Sequence, residues 1–174
     1  MKYTGIPSLQ PNKPWFVMAA ITQLEDELLE PGWRAFEWGA GYSTVWLSQW
    51  CGSVVSIEHD REFIMSVNAE LAKHSIANVT LVHIALGDAY EGAIQHYAKD
   101  GLFDLIFIDG RRRANCVAAA VPHLRPGGVL VLDNSERTEY QAAIAAHLAG
   151  WQRWDHLSQG GGYAGWTTTI WVKP

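Results

Sequence analysis

Basic charge is scarce in this sequence of 174 residues: 13 lysines and arginines stand against 18 acids, a formal net charge of -5. A surface of that sign is poorly matched to a phosphate backbone or an anionic membrane, so neither nucleic acid nor lipid is an expected partner. Cysteine is nearly absent. Cys51 and Cys116 lie far apart and in no metal-ligand spacing, which argues against a zinc finger or redox dithiol and suggests a reducing compartment, the cytoplasm. No apolar run approaches the roughly 18 to 20 residues of a bilayer span. The early PWFVMAAI leads straight into the acidic LEDELLE, a poor secretory signal. With 48% hydrophobic residues, the chain 1–174 is expected to form one globular domain with enough core to need no disulfides.

Tryptophan is plentiful, nine in all, mostly at core-like periods. Residues 1–13 carry Pro, Gly and Ser without a period and read as an extended arm. Over 14–30, Val17, Ala20, Ile21, Leu24 and Leu28 recur at helical spacing, Pro14 suits a first turn, and Pro31-Gly32 stops the run. The segment 34–174 then alternates β-rich runs with helix-like segments: RAFEWG, SVVSIEH, VTLVHIA, FDLIFID and GVLVLDN. That rhythm predicts βαβ crossovers and a parallel sheet. After Gly150, WQRWDHL and WTTTIWV flank the loop SQGGGYAG like two antiparallel strands. The expected fold is α/β, Rossmann-like and doubly wound, a mostly parallel seven-stranded sheet with an antiparallel C-terminal strand. Ligands of such sheets bind outside the carboxyl ends of the strands.

The run FEWGAGYST places Glu37, Gly39 and Gly41 where the first strand meets its helix. Two glycines there let backbone approach a ligand and leave helix-terminal amides for an anion, although a tight turn alone would also use them. Glu58 ends the second strand about 20 residues on, where an acid accepts hydrogen bonds from ribose hydroxyls. A nicotinamide dinucleotide is the rival ligand, but Thr44 stands where its third glycine belongs. An acid also precedes the turn.

Glu37-Trp38-Gly39-Ala40-Gly41 resembles the first motif of the class I S-adenosylmethionine-dependent methyltransferases, and Gly41-Tyr42-Ser43 resembles the small O-methyltransferases similar to catechol O-methyltransferase. The resemblance implies that Glu37, Gly39, Gly41, Tyr42 and Ser43 hold the methionine end of S-adenosylmethionine. It assigns the ribose to Glu58, and the adenine to His59 and to Asp88 and Ala89 of the Gly87-Asp88-Ala89 run. A hydroxyl beside helix-terminal amides does suit a carboxylate, though Ser43 also suits a helix cap. Asp109 closes the fourth strand near the chemistry. With Asp133 and Asn134 at the end of the fifth, it resembles that family's Mg²⁺ site, and three oxygen ligands suit such an ion. Hydrogen bonding near the cofactor and turn capping are the alternatives for these three.

Arg112 falls where that family has a catalytic lysine, yet arginine stays protonated and cannot act as a base. Arg111, Arg112 and Arg113 form the only basic run, expected in the first turn of a helix near Gly110. Cations there oppose the helix dipole, so the run serves either as a solvated face or as a grip on a substrate anion. The expected activity is methyl transfer to an oxygen of a small-molecule acceptor, which the run would allow to be anionic. Tyr3 of the arm, the arginines and the GGGY loop would shape the acceptor site, with a homodimer as a further way to complete it. A nicotinamide oxidoreductase, an aminopropyltransferase and a noncatalytic S-adenosylmethionine-binding module are the competing readings.

Overall fold

Runs rich in β-branched and aromatic residues extend into strands because each can bury both faces under helices. The computed structural model describes residues 14–159 and 164–174, so the arm with Tyr3 and the GGGY loop lie outside the described residues. In chain order the elements begin with α1 (Met18–Gln23), β1 (Arg34–Trp38), α2 (Tyr42–Trp50) and β2 (Ser53–Glu58). Then come α3 (Arg61–Lys73), β3 (Val79–His83), α4 (Asp88–Tyr97), β4 (Phe103–Ile108) and α5 (Arg113–Ala120). The chain continues through β5 (Leu124–Asp133), α6 (Thr138–His147), β6 (Gln152–Leu157) and β7 (Thr167–Val172).

The sheet order is β3-β2-β1-β4-β5-β7-β6. Strands β1 to β5 pair in parallel, and β7 runs antiparallel to both β5 and β6. After β3 the chain returns across β1 to lay down β4, so the strand order reverses between β1 and β4, the place beside whose carboxyl ends such sheets bind ligands. Period-two alternation divides the core. Phe36, Trp38, Ile106, Ile108, Leu130 and Leu132 face one helical layer, while Leu105, Phe107, Val129, Val131 and Ile170 face the other with Trp46. Trp38, Trp46 and Trp171 are among the largest fully buried side chains, as their spacing predicts.

The first helix is shorter than the apolar period suggests. It begins at Met18, not Pro14, and widens into a π turn over Leu24–Leu28. Tertiary contacts hold the chain before it out of the helix. The Phe16 ring sits 5.2 Å from that of Phe107, and the Val17 amide donates to Thr168 Oγ1 at 3.0 Å. Among the described residues, no helix is long and apolar enough to cross a membrane.

Candidate cofactor and acceptor site

The two glycines of the first turn do different work. Gly39 has φ 95, and a Cβ there would lie 2.5 Å from the backbone nitrogen of Gly110. A side chain there is excluded because the ends of β1 and β4 touch. Gly41 is extended, and an added Cβ would find nothing nearer than the Phe63 ring and Ser43 hydroxyl at 3.9 Å. Its open side adjoins the first turn of α2, where the amides of Tyr42 and Ser43 have no intrahelical acceptor.

Glu37 lies beneath this turn with no exposure at all. Its carboxyl accepts from the hydroxyls of Ser43 and Ser56, and from Thr44 Oγ1 at 2.5 Å. Burial pushes its pKa up to about 7, while the three hydroxyls oppose the rise. The Ser43 hydroxyl is therefore engaged inward, which leaves the first amides of α2 as the outward donors of this turn. Thr44, the residue that breaks the dinucleotide pattern, also closes the turn by accepting the Gly41 amide at 2.9 Å. Sequence reasoning missed the roles of Thr44 and Ser56, because a hydroxyl on a buried face carries no periodic signal.

At the end of β2, Glu58 is 4% exposed and binds the turn that follows it. Its Oε1 accepts the amides of His59 at 2.7 Å and Asp60 at 2.8 Å, while its Oε2 accepts no hydrogen bond among the described residues. The His59 ring stands edge-on to Tyr90, with centroids 6.2 Å apart. Asp88 and Ala89 open α4 and are exposed, as are Leu86 just before them and Phe63 in the first turn of α3. Glu58, His59, Asp88 and Ala89 thus share the carboxyl edge of the β1–β2–β3 side.

The β4 and β5 ends depart from expectation. Arg113, not Arg112, reaches Asp109. The Arg113 Nη2 lies 2.8 Å from Asp109 Oδ1, and the same guanidinium donates to the carbonyls of Asp109, Gly110 and Asp133 and to Asn134 Oδ1 at 3.3 Å. Asp133 Oδ2 is 3.9 Å from it. A buried cation already joins the three side chains expected to bind Mg²⁺. Asp133 is further committed to Thr168, which donates to it at 2.6 Å. Among the described residues no group of three His, Cys, Asp or Glu side chains is placed to hold a metal. The Mg²⁺ expectation is corrected accordingly: the donor set fits a guanidinium, and a divalent cation there would face its charge.

Desolvation raises the Asp109 carboxyl above the usual aspartate range, with the Arg113 charge opposing and Asp133 reinforcing the rise. Arg112 has left-handed backbone, φ 52, and turns its guanidinium away to fork on Glu91 at 2.6 to 3.0 Å, 3.8 Å from Asp88. The basic run therefore divides, and α5 starts only at Arg113. Asn134 is buried with φ 52; its Oδ1 accepts from Arg113 and Arg137, and its Nδ2 is buried without an acceptor. Tyr90, fully buried, accepts the Arg111 amide at 3.3 Å and would collide with any Cβ at Gly110.

Residues 36–135 match the model of a family described as a methyltransferase domain. The chain belongs to that family. This methyltransferase-family chain finds no match among curated proteins by sequence. Its fold recurs in solved structures, including an rRNA methylase from Streptococcus thermophilus at 11% identity, covering 90% of this chain and 96% of that one, with a TM-score of 0.72. A proposed methyltransferase from Streptococcus mutans, solved with S-adenosylhomocysteine, matches at 13% identity over 92% and 99%, with a TM-score of 0.68. A proposed caffeoyl-CoA O-methyltransferase from Staphylococcus aureus matches at 16% identity over 91% and 82%, also at 0.68. The class I methyltransferase resemblance read from the motifs is thereby shown, a class in which S-adenosylmethionine dependence is general. The rRNA methylase among these neighbours removes the ground for excluding nucleic acid on net charge alone.

Proposed function

We propose that this methyltransferase binds S-adenosylmethionine across the carboxyl ends of β1 and β2 and methylates an oxygen of a small-molecule acceptor held at the ends of β4 and β5. The observation that carries the reading is the set of unspent polar groups on the β1–β2 side: the Tyr42 and Ser43 amides beside open Gly41, and Glu58 Oε2. Those groups complement a carboxylate and a ribose hydroxyl, and the Streptococcus mutans neighbour carries S-adenosylhomocysteine. Asp88, Ala89 and His59 would flank the adenine, and Glu37 would act from beneath by fixing Ser43 and the turn. When bound, S-adenosylmethionine supplies an electrophilic methyl group.

Asp109 is the group nearest the chemistry. Arg113 fixes its Oδ1, so Oδ2 is the atom that would take the acceptor's proton, and burial keeps that carboxyl basic enough to do so. Asn134 Nδ2, turned away from its two arginines, is a ready donor to the acceptor. Arg112 has no part in this step, being bound to Glu91. The chain is read as one domain, because its first and last strands join a single sheet. Calorimetric titration with S-adenosylhomocysteine, followed by transfer of labelled methyl to a panel of hydroxylated small acids, tests the proposal. Asp109→Asn keeps an oxygen for Arg113 and is expected to lower turnover about 100-fold with cofactor affinity unchanged. Absence of S-adenosylhomocysteine binding by the folded protein would sink the reading.

A further inference from the structure

The arginine run has a face that cofactor binding leaves unused. Between the starts of α5 and α6 lies a cavity of about 350 Å³ whose wall includes Arg111, Arg112, Arg113, Arg137, Glu139 and Tyr140. Two of its four guanidiniums are neutralised, Arg112 by Glu91 and Arg113 by Asp109. The other two are not. The Arg111 side chain has no acceptor among the described residues. Arg137 reaches only neutral groups, Asn134 Oδ1 at 3.1 Å and the Tyr140 hydroxyl at 3.5 Å. Glu139 is the sole acid in the wall and makes no ion pair with either of them among the described residues. The first turns of two helices also converge here, adding positive potential where four cations already gather.

Arg111 and Arg137 are exposed at the rim, so water rather than a protein carboxylate now solvates their guanidiniums, and both remain available to a ligand anion. We propose that this cavity is an anion subsite of the acceptor: the molecule methylated carries an oxyanion, a phosphate, sulfate or carboxylate, gripped by the guanidinium forks of Arg111 and Arg137. The inference rests on the methyltransferase reading for its word acceptor, and the geometry supports that link. Gly110, the residue after Asp109, lines the cavity, and Arg113 belongs to both sites. Guanidinium forks match oxyanions through paired, charge-assisted hydrogen bonds. A single compact cluster on a chain of net charge -5 suits one anionic group better than a polyanion, which needs a basic track along its backbone.

The test uses the full chain with and without saturating S-adenosylhomocysteine, titrated in turn with inorganic phosphate, sulfate and acetate. The Arg111→Gln/Arg137→Gln double variant is compared with Arg153→Gln, which alters a pair on β6 distant in sequence. The expected result is binding of at least one anion that weakens about tenfold or more in the double variant only, with S-adenosylhomocysteine affinity unchanged. The preferred anion identifies the acceptor's group. Equal anion affinity in the parent and double variant overturns the subsite. So does tight binding of a short single-stranded RNA that inorganic phosphate fails to displace, which would make the cluster a nucleic-acid contact. If anions bind through the arginines but S-adenosylhomocysteine never binds, the methyltransferase reading fails, and the assignment to an acceptor fails with it.

Discussion

At the carboxyl ends of β1 and β2 the chain leaves the Tyr42 and Ser43 amides and one oxygen of Glu58 without partners, whereas at the ends of β4 and β5 a single guanidinium draws Asp109, Asp133 and Asn134 together. One half of that carboxyl edge is polar and unfinished. The other is polar and largely closed on itself. Polar groups that the protein itself does not pair, held in place by the turn that Glu37 braces, are the ones a ligand can engage. Satisfied charges give rigidity, and they explain why a three-oxygen pattern that invites a metal on paper does not offer one in space.

Removing the closure should cost most. Arg113→Met leaves the Asp109 and Asp133 carboxylates facing each other without a cation, and urea denaturation should show a loss of about 3 kcal/mol. A loss below about 1 kcal/mol would mean the arginine merely fills space. The next largest effect is a pH slope. Glu37 titrates near 7 when folded and near 4.5 when unfolded, so the folded state holds the proton more tightly. Its contribution to stability is present below about 4.5 and is lost as pH rises toward 7, by about 1 kcal/mol per unit at the steepest. Glu37→Gln should flatten that part of the profile, and an unchanged slope would show that the hydroxyls keep Glu37 ionised throughout.

On the unfinished side the expected effect is smaller and falls on binding. Glu58→Gln retains an oxygen for the His59 and Asp60 amides but offers a donor in place of the free acceptor. Calorimetry should find S-adenosylhomocysteine bound about tenfold more weakly, near 1.4 kcal/mol, with little change in stability. Smallest of all is the response to chelation. Adding EDTA or Mg²⁺ should change neither melting temperature nor methyl transfer, and a metal requirement would show that Arg113 moves aside during turnover.

The sheet was legible from the sequence because buried parallel strands announce themselves as near-continuous apolar runs, and every such run from RAFEWG to WTTTIWV became a strand. The start of α1 was not, since Phe16 and Val17 are held out of the helix by Phe107 and Thr168, contacts that local periodicity cannot see. In the site, the positions of Glu58 and Asp109 followed from strand ends alone. Which member of the arginine run turns inward did not. Three identical neighbours carry the same propensity, and the choice is made by the left-handed backbone at Arg112, which swings its side chain to Glu91 and leaves Arg113 to enter the floor. For Gly39 the sequence leaves a ligand's approach and a tight turn open, and it does not reveal the backbone of Gly110 that lies where a side chain would be.

The contact between Gly39 and Gly110, with the Tyr90 hydroxyl pressed against it, restricts how this chain can vary. A side chain at either glycine runs into the backbone of the other, and one at Gly110 also runs into Tyr90. Single substitutions at these positions meet a wall that no rotamer escapes. Shortening Tyr90 opens space on only one side of it. Loop residues around the acceptor can drift and explore new chemistry, but the three residues at the crossing must be inherited as one unit.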